Sequence, residues 1–499
     1  MDALTGLLYG LSVACDASNL LLLLGGCLLG TLVGVLPGLG PVGAISILLP
    51  LTFQLPPAGA IIMLAGIYNG AMYGGSTTSI LINVPGEAAS VVTCLDGYRM
   101  AKKGRAGQAL GIAVFGSFIA GTLGLVGLQL VAGPLSTLAL KFGPPEYFAV
   151  IFLGFAFIVY LAQRSMIKAV LMTLSGVLLS LIGLDPITAE QRMTFGALHL
   201  FEGLNVVPLA IGLFGLAEVF GNLEKTASAK ILRVKIRNLF PSRRQWLAAK
   251  WAIVRGSVIG FFLGILPGGG PVLSTFIAYG VEKRLSRHPE TFGQGAIEGV
   301  AAPEAANNAA ASTSFIPLLT LGIPPNVVLA VLFGAFLIHG VTPGPLLMTQ
   351  HPEIFWGVIA SMYLGNVILL ILNLPFIPLW VQVLRIPDRI LYPLIILFCL
   401  VGAYSINNSV FDIGVMVLFG VIGYFLKKFD YEAAPLILGF VLGPMFEVNL
   451  RRSLLMSQGS FGIFLERPIA LIAFAVCAIL ILLPVVKIIR TGRGGRSPR

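Results

Sequence analysis

Apolar stretches alternate with short polar segments along the whole chain. Several of these stretches are long enough to cross all or part of a hydrocarbon layer about 30 Å thick. Examples are residues 112–132, 148–161, 206–220, 327–338, 354–370 and 469–486. Their spacing predicts about ten to twelve membrane elements, some of them only half as long as a full span. The pattern indicates an all-α polytopic membrane protein.

One apolar pattern occurs twice. A Leu-Pro-Gly-x-Gly-Pro motif at residues 36–41 returns at residues 266–271, 230 positions later (266 − 36). The same offset relates Gly26, Gly30, Gly34 and Val42 to Gly256, Gly260, Gly264 and Val272. GxxxG spacing alone is typical of ordinary close helix packing in membranes. Because packing does not explain why both copies end in Pro-Gly-x-Gly-Pro, we interpret the pair as an internal duplication.

Composition and charge support the membrane assignment. Hydrophobic residues make up 57% of the 499, charged residues 11%, and the mean hydropathy is +0.94, whereas a soluble domain carries about 25% charged residues. The net charge of +11 does not indicate nucleic-acid binding, because Lys and Arg concentrate in short segments between apolar stretches, as they do in cytoplasmic loops. Those segments are residues 99–105, 225–255 and 487–499.

The basic segments divide the chain into four predicted parts. These are a first membrane repeat at 1–222, a basic cytoplasmic linker at 223–250, a second membrane repeat with additional helices at 251–486, and a basic cytoplasmic tail at 487–499. The first motif is flanked by segments without Lys or Arg, and the second by the linker and by Lys283 and Arg284. This difference predicts two re-entrant hairpins of opposite orientation, an inverted repeat. A broken helix that spans the membrane fits the same residues.

Each motif forces a helix to stop inside apolar sequence. Proline removes an amide donor and glycine admits conformations closed to other residues. The helix that follows directs its free N–H groups towards the break, which suits an anion. The substrate-binding residues predicted here are Pro37, Gly38, Gly40, Pro41, Pro267, Gly268, Gly270 and Pro271. The helix that precedes ends in free carbonyls, which suit a coupling cation, and we assign that role to Gly34, Leu36, Gly264 and Leu266.

A second polar cluster follows each motif. It consists of Asn69, Ser76, Thr77 and Thr78 in the first half and of Asn307, Asn308, Ser312 and Thr313 in the second. These side chains offer neutral hydroxyls and amides to a substrate, although a single Ser or Thr in a membrane helix often bonds only its own backbone. Most acidic residues, Glu87 among them, stand beside loop signals and are expected at the interface. Glu304 and Glu298 are the exceptions, and Glu304 is a predicted coupling-cation ligand.

Signatures of enzymes and of cofactor sites do not occur in the sequence. There is no HExxH, Gly-x-Ser-x-Gly or Walker motif, and the five cysteines contain no CxxC pair that would indicate a structural metal. We therefore expect no enzyme activity, no cofactor and no ATP-driven pumping. An ion gradient or another subunit is left as the energy source. An ion or solute channel with re-entrant selectivity loops is the alternative.

Nearly the whole chain resembles the large membrane subunit of the bacterial tripartite tricarboxylate transporters. The resemblance rests on GVLPGLGP (34–41), YNGAMYGGSTTSILINVPG (68–86), DGYRMAKKGRAGQAL (96–110), GLDPITAEQRMTFG (183–196), GILPGGGP (264–271) and GQGAIEGVAAPEAANNA (293–309). Two positions depart from the family pattern. Arg99 stands where proline is common, and Ala189 where glycine is common.

The resemblance implies a secondary transporter of the bacterial inner membrane. Such a protein works with a small membrane subunit and with a periplasmic solute-binding protein, and it imports tricarboxylates or other organic carboxylates with Na⁺ or protons. We therefore expect the binding protein to deliver a carboxylate to the two Pro-Gly breaks and the Ser/Thr clusters. An elevator-like rigid-body movement is then expected to expose the substrate to the cytoplasm.

Overall fold

The computed structural model describes residues 2–36, 40–162, 164–224, 239–383 and 386–493, without the side chains of residues 388 and 481–493. The first α-helices in chain order are α1 (Ala3–Ala14), α2 (Ala17–Val35), α3 (Gly40–Leu48), α4 (Pro57–Ile82), α5 (Val91–Thr93), α6 (Arg99–Lys102), α7 (Ala106–Ala139), α8 (Pro144–Tyr160) and α9 (Met166–Ser180). Two short antiparallel strands follow, β1 (Gly183–Leu184) and β2 (Gln191–Arg192).

The remaining helices begin with α10 (Val206–Ala210), α11 (Ala217–Leu223), α12 (Arg243–Ile265), α13 (Gly270–Leu285), α14 (Glu298–Thr313), α15 (Phe315–Leu321), α16 (Val327–Ile338) and α17 (Leu347–Gln350). They continue with α18 (Pro352–Leu372), α19 (Ile377–Val383), α20 (Asp388–Asn407), α21 (Val410–Lys428), α22 (Ala433–Met456), α23 (Ile463–Glu466) and α24 (Pro468–Arg493). Turns of π-helix at Cys94–Tyr98 and Ile211–Leu216 join neighbouring helices.

Eight helical segments in the described residues are long and apolar enough to cross a membrane. They are Ala17–Val35, Ala106–Ala139, Val206–Leu223, Arg243–Ile265, Pro352–Leu372, Arg389–Asn407, Val410–Lys428 and Ala433–Met456. Shorter apolar helices of 10–17 residues accompany them, for example Gly40–Thr52 and Val327–Ile338. The predicted all-α, multi-pass class is confirmed. The number of membrane elements and the inverted orientation of the two halves stay predictions.

The chain forms two compact units. One contains Met1–Leu140 and Asn205–Phe429, and the other contains Lys141–Leu204 and Asp430–Arg499. Both Leu-Pro-Gly motifs belong to the first unit. The predicted repeats at 1–222 and 251–486 were defined by sequence duplication, whereas the two units are defined by contacts. The division into repeats therefore stays a prediction. Within the predicted linker, residues 225–238 lie outside the described residues, and α12 begins at Arg243 behind an N-cap at Ser242.

In the first unit, the duplicated glycines are contact points between helices. Helix α2 packs on α4, and a Cβ placed at Gly26, Gly30 or Gly34 would lie 2.3–2.4 Å from the carbonyl oxygens of Met63, Ile67 and Ala71. Helix α12 packs on α14 in the same way. A Cβ placed at Gly256, Gly260 or Gly264 would lie 2.4–2.6 Å from the carbonyl oxygens of Ala302, Ala306 and Ala310. Small-residue packing therefore accounts for the GxxxG part of the duplication.

The second unit packs α8, α9, α22 and α24 together. A Cβ placed at Gly439 of α22 would lie 2.3 Å from the Thr173 carbonyl oxygen of α9, so these two helices also approach closely. The ring centroids of Phe148 of α8 and Phe446 of α22 lie 4.7 Å apart. Ala189 lies in the turn between β1 and β2 with φ +57°. Glycine adopts this left-handed backbone more readily than alanine does.

Candidate functional site

Both Leu-Pro-Gly motifs interrupt a helix, as predicted. Helix α2 ends at Val35 with Leu36 extended, and helix α12 ends at Ile265 with Leu266 extended. The helices resume at Gly40 and Gly270, whose φ values of +59° and +56° require the freedom of glycine. Pro41 and Pro271 then occupy the first helical turns and are buried. Pro37 and Gly38 lie outside the described residues.

The second break has some of its backbone groups already paired. Gly268 donates its N–H to the Pro325 carbonyl at 2.8 Å, and Gly269 donates to Leu266 O at 3.0 Å. The Gly264 carbonyl accepts from Ser314 Oγ at 3.0 Å. A carbonyl has two lone pairs, so Gly264 and Leu266 keep acceptor capacity beside these bonds.

A second chain reversal stands next to each break, and the two reversals correspond. Asn83 caps the end of α4 and Gly322 the end of α15, and these two left-handed residues are 239 positions apart (322 − 83). The same offset separates Glu87 from Asn326 (326 − 87) and Met63 from Ala302 (302 − 63). Glu87 caps the short turn Ala88–Ser90, and Asn326 caps α16. The duplication thus extends beyond the motif to the reversal that faces it.

Glu304 lies at the centre of the polar residues of the first unit. Its side chain is on α14 and is 1% exposed. Ser76 Oγ and Thr93 Oγ1 donate to its two carboxylate oxygens at 2.6 Å and 2.5 Å, and Ser117 Oγ lies 3.4 Å away. Asn308 donates to Ser117 Oγ at 2.7 Å. Three segments distant in sequence therefore meet at one carboxylate.

A second buried carboxylate lies near the first break. Glu87 is 5% exposed, so protein surrounds it, and its expected position at the membrane interface stays a prediction. Its carboxylate accepts from Ala89 N at 2.9 Å and from Asn307 Nδ2 at 3.1 Å. The other amide atom of this residue, Asn307 Oδ1, has no hydrogen-bond partner, and the hydroxyl of Tyr68 makes no close hydrogen bond, although it lies near Asn326 and Glu87. Both atoms are buried acceptors with unused capacity.

A narrow crevice opens beside Glu304. Its polar wall consists of Tyr73, Ser76, Thr77, Ser117 and Glu304, and its apolar wall consists of Ile80, Leu110, Ala113 and Val114. The Tyr73 hydroxyl donates to Asn366 Oδ1 at 2.7 Å. None of these lining residues carries a positive charge. Within the described chain, no group of three or more His, Cys, Asp and Glu side chains is placed to hold a metal ion.

Other predicted site residues are used differently. Thr78 donates to the Val35 carbonyl at 2.7 Å and thereby ties α4 to the end of α2. Thr313 bonds the Ala309 carbonyl of its own helix at 3.0 Å, which is the ordinary role of a helical threonine. Ser312 is buried, and Asn69 is partly exposed. The structure brings Ser76, Thr77, Asn307, Asn308 and Glu304 together.

Sequence reasoning missed Thr93, Ser117 and the burial of Glu87. Ser117 lies in the long apolar helix α7, and Thr93 follows a loop signal, so neither belongs to a polar cluster in the sequence. The duplicated motif at the offset of 230 gave no signal for Glu87, because the second offset emerges only from the backbone conformation of the reversals. Alignment of the reversals at the offset of 239 pairs this acid with Asn326 and places it beside the break.

These features define a multi-pass α-helical membrane protein in which two interrupted helices adjoin a buried polar core. Residues 20–438 match the Tripartite tricarboxylate transporter TctA family, and the chain belongs to this family. It is therefore a component of a tripartite tricarboxylate transporter.

Two relatives come from Agrobacterium vitis. One, described as "Uncharacterized 52.8 kDa protein in TAR-I ttuC' 3'region", is 50% identical over 490 residues, which is 98% of each chain. The other, described as "Uncharacterized protein in TAR-II ttuC' 3'region", is 54% identical over 231 residues, which cover 46% of this chain and 96% of the relative. No solved structure matches.

Proposed function

We propose that this protein is the translocating subunit of a cation-coupled importer of tricarboxylates or related organic carboxylates in the bacterial inner membrane. A periplasmic binding protein delivers the substrate, and a small membrane subunit completes the complex. Family membership supports a component of this transporter class. Coupling to a cation, delivery of the substrate by the binding protein and the inward direction of transport are parts of the proposal.

One observation carries the proposal: both helix breaks adjoin a polar core that is shared between the two halves of the chain. Ser76 of α4 bonds Glu304 of α14 at 2.6 Å, and Asn307 of α14 bonds Glu87 at 3.1 Å. Interrupted helices at membrane depth are tolerated where protein buries them or where they line a cavity. An arrangement of this kind suits a binding site between two repeats.

The chemistry of the core favours a carboxylate that travels with cations. Helices α3 and α13 direct their N-termini towards the breaks, and the hydroxyls of Ser76 and Thr77 offer neutral donors to a carboxylate. Glu87 and Glu304 act against an anion whenever they are ionised, because like charges repel in a medium of low dielectric constant. Na⁺ or protons bound with the substrate remove this repulsion. Carboxylate binding and cation binding are therefore linked.

The proposed cycle uses part of the predicted site. The substrate carboxylates bind between Gly40, Pro41, Gly270 and Pro271 and the side chains of Ser76, Thr77, Asn307 and Asn308. The coupling cation uses Glu304 and the carbonyls of Gly34, Leu36, Gly264 and Leu266. An elevator-like movement of the core in an inverted-repeat framework then carries the bound substrate across the membrane.

A channel is the second candidate, because interrupted helices also build selectivity filters. The two functions differ in their dependence on partners. A channel conducts without the binding protein and saturates poorly. The proposed importer needs the binding protein for uptake at low substrate concentration.

Uptake into proteoliposomes tests the proposal. The chain is reconstituted with its small membrane subunit, the cognate binding protein is added outside, and entry of radiolabelled citrate and of a panel of dicarboxylates is followed under Na⁺ or proton gradients. The expected result is saturable uptake of at least one carboxylate that stops when the binding protein is omitted. An absence of uptake under every imposed gradient would refute the proposal.

A further inference from the structure

The two halves of the chain differ in charge at one corresponding position. Glu87 and Asn326 are related by the offset of 239, and each caps the turn or helix that follows a reversal. Each also lies beside the helix that resumes after a break. A Cβ placed at Gly40 would lie 4.0 Å from Glu87 Cβ, and one at Gly270 would lie 3.3 Å from Asn326 Cβ. The first break thus has an acid where the second has a neutral amide.

Capping accounts fully for Asn326, but only in part for Glu87, whose side chain accepts from Ala89 N. Asparagine is among the best N-cap residues, whereas glutamate is not in the preferred set. Asn326 accepts from Leu329 N at 3.1 Å and donates to Ser314 Oγ at 3.1 Å, so both ends of its amide are paired. Glu87 instead places a buried carboxylate, 5% exposed, where an uncharged cap would serve. A buried charge without a counter-charge is costly and points to a ligand.

The surroundings of Glu87 differ from those of Glu304. Hydroxyls of Ser76, Thr93 and Ser117 surround the Glu304 carboxylate. Glu87 receives the Ala89 N–H and the Asn307 amide, and no cationic side chain bonds it among the contacts described. Asn307 Oδ1 belongs to the same amide that bonds Glu87, is fully buried and has no partner. A buried acceptor without a donor, next to a carboxylate, calls for a positive ligand.

Two further oxygen groups lie near this pair. The Tyr68 hydroxyl is buried, makes no close hydrogen bond, and interacts electrostatically with both Glu87 and Asn326. The C-terminal end of α2 is the negative pole of that helix, and a Cβ placed at Gly86, the residue before Glu87, would lie 2.3 Å from the Gly34 carbonyl oxygen. Hard cations take oxygen ligands of this kind. The titratable groups that interact electrostatically with Glu87 are Glu304 on α14 and Tyr68 on α4.

We propose that the Glu87 carboxylate, Asn307 Oδ1 and the Tyr68 hydroxyl bind a Na⁺ ion at the first break, and that the second break, with Asn326, has no counterpart. This inference rests on the proposed cation coupling and adds a site to it, separate from Glu304. One carboxylate favours a monovalent over a divalent ion, in keeping with the absence of a cluster of three or more His, Cys, Asp or Glu side chains in the part of the chain described. Because only the first break has a carboxylate at this position, the first break binds the cation and the second does not.

Thermal unfolding of the purified full chain in detergent tests the site without substrate or partner subunits. NaCl is titrated against choline chloride at constant ionic strength. The wild-type midpoint is expected to rise saturably with Na⁺, by about 2–4 °C. Glu87→Gln is expected to abolish the rise. Glu146→Gln removes another buried glutamate that caps a helix, and this matched control is expected to keep the rise.

Tyr68→Phe is the second variant, in case Glu87→Gln does not fold. It keeps the ring and removes one ligand, so the Na⁺ concentration at half-effect is expected to increase about ten-fold. Lack of a Na⁺-specific rise in the wild type overturns the inference, as does a full rise in both Glu87→Gln and Tyr68→Phe. A rise produced by lower pH in place of Na⁺ assigns a proton to Glu87 and also overturns it. Absence of carboxylate uptake, with the Na⁺ response intact, refutes the proposed function alone.

Discussion

Ser76 Oγ lies 2.6 Å from Oε2 of Glu304, although the two residues are 228 positions apart. The bond joins α4, which follows the first helix break, to α14, which follows the second. Thr93 and Ser117 bond the same carboxylate from two further segments. Glu304 therefore couples the two halves of the first unit through one buried side chain.

Removal of this carboxylate charge is expected to impair uptake more than folding. Glu304→Gln keeps the size of the side chain, but its amide nitrogen cannot accept from a hydroxyl. We expect uptake by the reconstituted complex to fall by about ten-fold or more, equivalent to one or two buried hydrogen bonds. Uptake and the thermal midpoint are measured on the same preparation.

Thr93→Ser is the control for that variant, since it keeps the hydroxyl that donates to Glu304. It is expected to retain most of the uptake. An equal loss of uptake in Thr93→Ser and Glu304→Gln would contradict a specific role for the carboxylate. Unchanged uptake in Glu304→Gln would remove Glu304 from the coupling site.

The glycine contacts between α2 and α4 are expected to tolerate no side chain. A Cβ in Gly30→Ala would meet the Ile67 carbonyl oxygen at 2.3 Å, and overpacking of this kind costs about 1–3 kcal/mol. We expect a lower thermal midpoint and a lower yield of monodisperse protein. Gly25→Ala, in the same helix with no heavy atom within 4 Å of its Cβ, is the matched control. Equal midpoints for the two variants would contradict the packing.

Asp96 is expected to hold the segment before α14 in place. Its carboxylate accepts from Gly293 N, Gly295 N and Ala296 N at 2.7–3.0 Å and from the Tyr279 hydroxyl at 2.9 Å. Asp96→Ala leaves three backbone donors without their acceptor, and this loss favours opening of residues 286–297. We expect faster cleavage by protease in this segment.

The matched control for Asp96→Ala is Glu290→Ala, an exposed acid in the segment itself. Its only described partner is His288, so its removal is expected to leave the cleavage rate close to that of the wild type. Mass spectrometry of the fragments locates the cut. A wild-type cleavage rate in Asp96→Ala would show that the carboxylate does not secure the segment.

An ion cluster in the second unit predicts a loss of stability in acid. Burial alone would raise the pKa of Asp185, but hydrogen bonds from Ile187 N, the Arg451 guanidinium and Thr188 N hold that pKa well below its ordinary value. A carboxyl with a depressed native pKa stabilises the fold above its unfolded pKa of about 3.9, and this contribution disappears as the pH falls towards the native pKa. The thermal midpoint is therefore expected to decrease when the pH is lowered below about 4.

Arg451→Met is expected to weaken that pH dependence, because the variant removes a cation that bonds Asp185 at 2.7 Å. The neighbouring Arg452 is exposed, so Arg452→Met serves as the control and is expected to retain it. Midpoints measured at several pH values for both variants decide the matter. Identical pH profiles for Arg451→Met and the wild type would show that the guanidinium does not stabilise the ionised carboxyl.

The sequence was sufficient for the fold class and for the helix breaks, since apolar length and Pro-Gly chemistry are local properties. The duplicated glycines also predicted close helix packing at the right positions. The partners of Glu304 could not be predicted from the sequence, because Ser76, Thr93 and Ser117 approach it only after segments about 200 positions apart have packed together. Only tertiary structure separates an exposed acid from a buried one such as Glu87.

The two compact units were equally invisible in the sequence. Helices α8 and α9 join α22 and α24 across more than half of the chain, and no duplicated motif marks that pairing. The reversals at Asn83 and Gly322 share a conformation but not a residue type, so the second part of the duplication emerged only from backbone geometry.

Concentrative uptake is the most direct test of the central claim that the chain is a coupled carboxylate importer. Proteoliposomes with both membrane subunits are loaded without substrate, given the binding protein and radiolabelled carboxylate outside, and exposed to an inward Na⁺ or proton gradient. A coupled importer is expected to raise the internal carboxylate concentration above the external one, and this difference is expected to collapse when the gradient is dissipated. Equilibration to equal concentrations, with or without the binding protein, would contradict it and identify a channel.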